Sequence, residues 1–369
     1  MAATLRDVAA AAGVSVSTAS RALSGSSEIS ESTRLRVSRT ARSLGYRRNL
    51  AAASLRTRRS GLVGLVLNNL VNNTFHTVVE AVQRRLVASG YQSLLCITNA
   101  DPAVEADYLR LLRDHQVDSV LIVGTGGNVK EVNDLRASGI TVIDLIREIE
   151  GSQGPAVLAA DREGAEAATR HLVDQGHRRI AFVGGPPETT SGRDRYAGFV
   201  QTLAEAGLAP VPELVRRGPF EVAYGARVMG ELLGLERAPT ALMLANHEAT
   251  YGALPVLARS GVDVPSALSV VAFEDMPLLE WWSPAITVVD TGAHELGRLA
   301  VELLLRSIDG QELKPRRYTV GAELVVRSST APPPPDPSPG EPPAPPSALP
   351  APAALSVSPA GPLPAGGTA

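Results

Sequence analysis

Val16, Ser17 and Arg21 share the outward face of a short amphipathic segment, with side chains and spacing suited to base edges when a helix amino terminus enters a major groove. The charge around them agrees with a polyanionic partner. Residues 1–60 hold eleven arginines against Asp7, Glu28 and Glu31, a balance of +8, whereas residues 61–330 hold 24 basic and 33 acidic side chains, a balance of −9. The overall net charge of −3 therefore conceals a cationic amino-terminal block. The competing reading is a protein-binding three-helix bundle whose arginines form a solvated face.

Turn chemistry sets the elements that must position these residues. Thr4 and Asp7 fit a capping box, and Leu5, Val8, Ala9 and Ala12 then make one apolar stripe, so a first helix is expected over 5–12. Gly13 supplies the turn, Val14 an apolar plug, and Ser15 a cap for a second helix whose Ala19, Ala22 and Leu23 face inward. This is a helix-turn-helix. After a loop at 25–28, Val37, Ala41 and Leu44 give a third stripe, ended by Gly45 where a left-handed cap is expected.

From residue 61 onward, short β-branched runs alternate with amphipathic helical stretches, the pattern of doubly wound parallel sheets. Strands are expected at 62–67, 92–98, 119–123, 141–144, 156–160, 179–183, 241–244, 268–272 and 287–289. The helices between them include 75–89, 102–115, 163–176, 193–206, 221–234, 248–260 and 293–309. That count exceeds one mononucleotide fold and suits two similar lobes. Residues 331–369 contain 15 of the 28 prolines, two acids and no basic residue, a composition that reads as a disordered tail.

Several function classes are excluded or weakened. The longest apolar run, at 61–67, is far short of the ~18 residues of a membrane span. The amino terminus lacks the apolar core of a signal peptide, and the lone Cys96 excludes a disulfide framework, so the expected compartment is the cytoplasm. Gly124-Thr125-Gly126-Gly127, with Asp144 twenty residues on, superficially fits a dinucleotide fingerprint, but Val129 stands where the third glycine belongs. No P-loop lysine motif or nucleophile elbow occurs, and His171 and His177 lack a neighbouring ligand cluster. Neither an enzyme, a cofactor nor a metal is expected.

The run TLRDVAAAAGVSVSTASRALS at 4–24 resembles the lactose and galactose repressor (LacI/GalR) family almost throughout. Further pieces that match are HLVDQGHRRIAFVGG at 171–185, Arg195-Tyr196-Ala197-Gly198-Phe199, Ala245-Asn246 and Ser283-Pro284-Ala285-Ile286-Thr287. The resemblance implies a small all-α helix-turn-helix domain plus an α/β regulatory domain, two-lobed and periplasmic-binding-protein-like, with two parallel doubly wound sheets. It also implies a chain that crosses between the lobes three times, with a ligand cleft between them. The expected domains are 1–48 for DNA binding, 49–60 for a hinge helix and linker, 61–330 for effector binding and dimerisation, and 331–369 for the tail.

By this resemblance Val16, Ser17 and Arg21 fall on base-reading positions, Thr18 lies at a phosphate or base contact, Asn49 caps the hinge helix, and Leu55 is the minor-groove wedge. At strand carboxyl ends it places effector contacts at Asn68, Asp144, Arg195, Phe220, Asn246 and Glu274, with Phe75 nearby. That set suits a sugar or polyol, and also admits a purine. The chain departs from the family in five places, one of them Ala53, which replaces an arginine common later in the hinge. Arg48 replaces a hinge proline, Asn72-Asn73-Thr74-Phe75 stands for Asn-Pro-Phe, His247 follows Asn246 where aspartate is usual, and Ala272-Phe273-Glu274-Asp275 stands for Gly-Phe-Asp-Asp. His247 either contributes a titratable donor to the cleft or faces solvent.

The expected function is a transcriptional regulator, a repressor whose homodimer reads double-stranded operator DNA under control of a small-molecule effector, cytoplasmic and nucleoid-associated when bound. The alternatives are a purine- or other corepressor-dependent regulator and a non-regulatory soluble sugar-binding module.

Overall fold

The computed structural model describes residues 3–23, 28–46, 59–314 and 316–335. The hinge expected at 49–60 falls almost wholly outside them, and with it Asn49 and Leu55.

The amino-terminal unit has three helices, α1 (Leu5–Ala11), α2 (Val16–Leu23) and α3 (Glu31–Ser43). Their ends follow the expected chemistry. The Asp7 amide donates to Thr4 Oγ1 at 3.3 Å and the Thr4 amide to Asp7 Oδ2 at 2.8 Å, which holds the Asp7 carboxyl below its ordinary pKa. Ser15 Oγ accepts from the Thr18 amide at 3.0 Å, and Gly13 and Gly45 turn the chain at φ of 64° and 63°. The core is a small cluster of Val8, Ala9, Ala12, Ala19, Ala22, Val37 and Ala41. Leu44, expected on the third stripe, is 40% exposed because α3 ends before it.

The body has two lobes. The first runs β1 (Leu62–Leu67), α4 (Asn73–Ala88), β2 (Gln92–Ile97), α5 (Pro102–Asp114), β3 (Ser119–Ile122), α6 (Val129–Ala137), β4 (Thr141–Leu145) and β5 (Ala156–Ala159). The chain then crosses to α7 (Asp161–Asp174), β6 (Ile180–Gly184), α8 (Thr190–Glu205), β7 (Val215–Arg217), α9 (Val222–Leu233), β8 (Ala241–Leu244), α10 (His247–Ser260), β9 (Ser269–Phe273), α11 (Pro277–Trp281) and β10 (Thr287–Asp290). A second crossing leads to α12 (Ala293–Ile308) and β11 (Arg317–Val320) on the first lobe, and a third to β12 (Glu323–Val325) on the second.

Both sheets have six strands, ordered β11-β5-β4-β3-β1-β2 and β12-β10-β9-β8-β6-β7. All pairs are parallel except β10 with β12. Each sheet reverses strand order at one point, between β1 and β3 and between β6 and β8, and crevices at such points are where open α/β sheets hold ligands. The three crossings agree with expectation. Strands β7, β11 and β12 and helices α6 and α11 do not figure among the expected elements. The three strands are short sheet edges, VRR, RYTV and ELV, with charged residues in place of an apolar run. Helices pack closely where a side chain is absent, as at Gly252 on α10, where a Cβ would lie 2.2 Å from Val222 O on α9.

The carboxyl-terminal segment remains part of the body beyond Thr330. Ser329 is fully buried, its Oγ accepting from the Thr287 amide at 2.8 Å and donating to Val270 O at 2.6 Å. The Ala331 carbonyl accepts from Ser269 Oγ at 3.0 Å and lies 2.9 Å from His177 Nε2. The boundary expected after residue 330 thus moves past Ala331, because the polar groups at the floor of the second sheet are satisfied by this segment.

Two outcomes follow. A chain ending at Pro335 is expected to keep its Tm. One ending at Ser328 should lose ~1–3 kcal/mol in unfolding experiments, because the Thr287 amide is left buried and unpaired. Burial also lowers the pKa of both His177 and His171. The unfolded chain therefore takes up protons first as pH falls, so their stabilisation is complete above about pH 6.5 and is lost below it. Tm measured from pH 7.5 down to 5 should fall less steeply for His177→Gln than for the natural chain.

Candidate functional site

On the amino-terminal unit, Val16, Ser17 and Arg21 are exposed and Thr18 is half-buried at the start of α2. Ser15 Oγ lies 2.8 Å from both Ser17 Oγ and Thr18 Oγ1, so the helix opens on a connected row of hydroxyls. Arg21 Nη1 reaches Glu28 Oε2 at 3.0 Å, with both side chains at least half exposed. Such a pair is worth little, and the arginine can exchange it for another anion.

The second site lies where the two lobes meet. Arg195, on α8, is buried and spends its guanidinium on the protein. Its Nε donates to Asp161 Oδ1 at 2.7 Å and its Nη1 to Ala245 O at 2.8 Å and Glu274 Oε1 at 3.1 Å. The guanidinium carbon also sits 4.5 Å from the Phe273 ring centre. Burial opposes the charge on Arg195, but Asp161 and Glu274 outweigh it and raise its pKa. For Asp161 burial dominates, and its pKa is raised despite Arg195.

Glu274 is a non-glycine residue at φ 71°, the left-handed region, held there by its amide bond to Val289 O at 2.9 Å. Its Oε2 accepts from Thr74 Oγ1 of the first lobe at 2.9 Å. Two neighbouring residues also reach across. Asn73 Nδ2 donates to Asp275 O at 3.1 Å, and Asn72, which caps α4 through the Thr74 amide at 2.9 Å, approaches Glu248 at 3.5 Å. Glu248 is buried beside Glu274, and both effects raise its pKa.

Asn68 follows β1 at the first switch point. With its amide oriented to satisfy its neighbours, nitrogen donates to Val123 O at 3.2 Å and oxygen accepts from Arg147 Nη1 at 3.0 Å. The Arg147 guanidinium carbon is 4.1 Å from the Phe220 ring centre and 6.0 Å from that of Phe75. Phe75 is buried, and Phe220 lies against Gly185 after β6.

The structure thus brings Asn68, Phe75, Phe220, Arg195 and Glu274 to the meeting of the lobes. Asn246 is buried nearby, its side-chain oxygen capping α10 through the Ala249 amide at 2.7 Å. Asp144 is a correction. It is fully buried, but its carboxylate accepts from Arg136 Nη2 at 3.0 Å and from the Ile149 amide at 3.1 Å, so it braces α6 and the loop after β4. Arg147 and Glu148, which follow β4, reach the other lobe instead, at Phe220 and Thr190. His247 is 2% exposed, so it does not face solvent; its ring lies 4.4 Å from that of Tyr251, and neither ring nitrogen has a partner among the described residues. Sequence reasoning missed Arg147 and Asp161. The only local signal for either was a charged residue just beyond an apolar strand.

The amino-terminal unit matches "Bacterial regulatory proteins, lacI family" over residues 4–49, and the body matches "Periplasmic binding protein-like domain" over 169–330. The HTH-type transcriptional repressor PurR of Vibrio campbellii (strain ATCC BAA-1116) is 30% identical over 329 residues, covering 89% of this chain and 98% of that protein. The chain belongs to the LacI family. HTH-type transcriptional regulator RegA of Clostridium saccharobutylicum is also 30% identical, over 89% of this chain and all of that one. Among solved structures, the transcriptional regulator CelR–cellobiose complex has a TM-score of 0.68 at 30% identity, over 89% of this chain and 99% of that one. The Lac repressor dimer bound to operator and an anti-inducer shares the fold, with a TM-score of 0.77 at 24% identity over 90% of this chain and 100% of that one. This LacI-family member is a DNA-binding transcriptional regulator, and its relatives are not enzymes. Among the described residues no helix is long and apolar enough to cross a membrane.

The buried charges give a direct test. Asp161→Ala leaves Arg195 short of its nearest carboxylate and should cost ~3–5 kcal/mol in denaturant unfolding. Thr74→Val removes one hydroxyl bond between lobes and should cost about 1 kcal/mol or somewhat more, Glu274 keeping Arg195.

Proposed function

We propose that this regulator is a repressor whose dimer reads a pseudo-palindromic operator, and whose operator affinity is set by a sugar- or polyol-like ligand held between the lobes. The supporting observation is that residues from the switch points of both sheets come together where the lobes meet. Asn68 lies at one and the Arg195–Glu274 pair at the other, with Phe75 and Phe220 between them. Carboxylates, amides and guanidinium groups bind hydroxyls, and aromatic faces cover the apolar side of a ring. The similar regulator CelR has been solved as a complex with cellobiose, in keeping with this reading.

Val16, Ser17, Thr18 and Arg21 are the base- and phosphate-contacting residues in this reading, with Asn49 and Leu55 acting in the hinge. Val71 and Trp281, 80% and 78% exposed, are large apolar side chains of the kind a dimer covers. Ligand binding alters operator affinity only by its differential affinity for the two states, and operator alters ligand affinity by the same factor.

The experiment selects an operator from a random-sequence library with the full chain and measures affinity across salt concentrations. Arg21→Ala should cost ~1–3 kcal/mol and relax preference at one position. Arg47→Gln should weaken all sequences alike and lower the salt slope by roughly one. Leu55→Ala should weaken the operator more than random DNA, and equal losses on both would remove the wedge from the reading.

A further inference from the structure

The cleft contains a cation, Arg147, that no carboxylate of the described residues pairs at contact distance. Arg147 is partly exposed along its length, yet its Nε is sealed from solvent and has no partner among the described residues. Its Nη1 is taken by Asn68, and its flat face by Phe220. No carboxylate among the described residues comes within 4.0 Å of it, whereas Arg195 has two. The charges that act on it from further away are Glu248, Glu274 and Asp161, which favour it, and Arg195, which opposes it. Of these, Asp161 and Glu274 are already bonded to Arg195, and Glu248, whose pKa burial and Glu274 raise, makes no ion pair with Arg147. An arginine does not escape such a site by losing its proton.

The backbone adds a second observation. The residue before it, Ile146, is β-branched and sits at φ 65°, a conformation that such a side chain adopts only when its surroundings impose it. Its amide is fixed to Val157 O at 2.8 Å, and the next amide, of Arg147, to Leu145 O at 2.7 Å. This strained turn carries Arg147 out between the two phenylalanines.

We infer that the ligand of this cleft carries an acidic group, a carboxylate or a phosphate, that pairs with the guanidinium of Arg147. This rests on reading the cleft as the effector site and narrows the ligand from a neutral sugar or polyol to a sugar acid or sugar phosphate. A guanidinium donates two parallel hydrogen bonds to two oxygens of one anion, and of its nitrogens only Nη1 is held by Asn68. Neutral hydroxyls fill one hydrogen bond there and leave the charge unanswered.

The test compares the full natural chain with Arg147→Met by thermal shift and calorimetry, at constant ionic strength, using glucose, gluconate and glucose 6-phosphate as probes. The expected result is a rise of roughly 2–4 °C with 10 mM of one acid, none with glucose, and no response in Arg147→Met. Gluconate against glucose 6-phosphate separates carboxylate from phosphate. Without ligand, Arg147→Met should melt at or above the temperature of the natural chain, because an uncompensated charge is removed. If no probe acts, that sign decides, and a fall overturns the inference. Operator affinity separates it from the reading beneath it. An acid that binds through Arg147 without changing operator affinity leaves the charge assignment standing and removes the effector role. Glucose acting equally on both proteins and on operator binding keeps the effector role and overturns the acidic ligand.

Discussion

The paired charges of Arg195 with Asp161 and Glu274 hold together the parts of the chain on which the cleft depends. Asp161 opens the helix that follows the first crossing, Arg195 stands on the next helix, Glu274 ends the strand β9, and the carbonyl of Ala245 ends β8. All three side chains are nearly closed to solvent, so each charge is tolerable only while its partners stay in place. The second sheet's switch point therefore presents a defined polar edge. Through Thr74 that edge also extends to the first lobe, where helix α4 begins.

The longer acid at position 274 and the hydroxyl at position 74 belong to one arrangement. The entrance loop has no proline, and Asn72 caps α4 in its place, which leaves Asn73 and Thr74 to bond the other lobe. Backbone strain falls at two residues facing this junction, Ile146 and Glu274. Each costs ~1–3 kcal/mol and persists because the sheet ends around it are fixed, a distribution common at ligand clamps.

The amino-terminal unit obeys a different economy. Its core is mostly alanine, so helix ends capped by Thr4, Ser15 and Ser30 carry an unusual share of its stability. Keeping large apolar side chains out of so small a bundle lets the helices approach closely and leaves the surface to arginine and hydroxyl groups. The concentration of positive charge there, against an acidic body, directs a polyanion to that end of the chain.

Local chemistry determined a good deal from the sequence alone. Caps, left-handed glycines, the helix-turn-helix, the alternation of strands and helices, and the charge asymmetry each depend on residues a few positions apart, so each was legible without the fold. Family resemblance then brought Asn68, Phe75, Phe220, Arg195 and Glu274 to one cleft. Tertiary structure alone decided which charges meet. Asp144 turns to Arg136 because the loop after β4 folds back over α6, and this leaves Arg147, three residues on, as the side chain that enters the cleft. Asp161 pairs with Arg195 across 34 positions, and Ala331 closes the floor beneath His177 across 154. Such pairings are set by the packing of sheets and crossings, where burial makes every polar group find a partner, and spacing along the chain carries no record of which partner it finds.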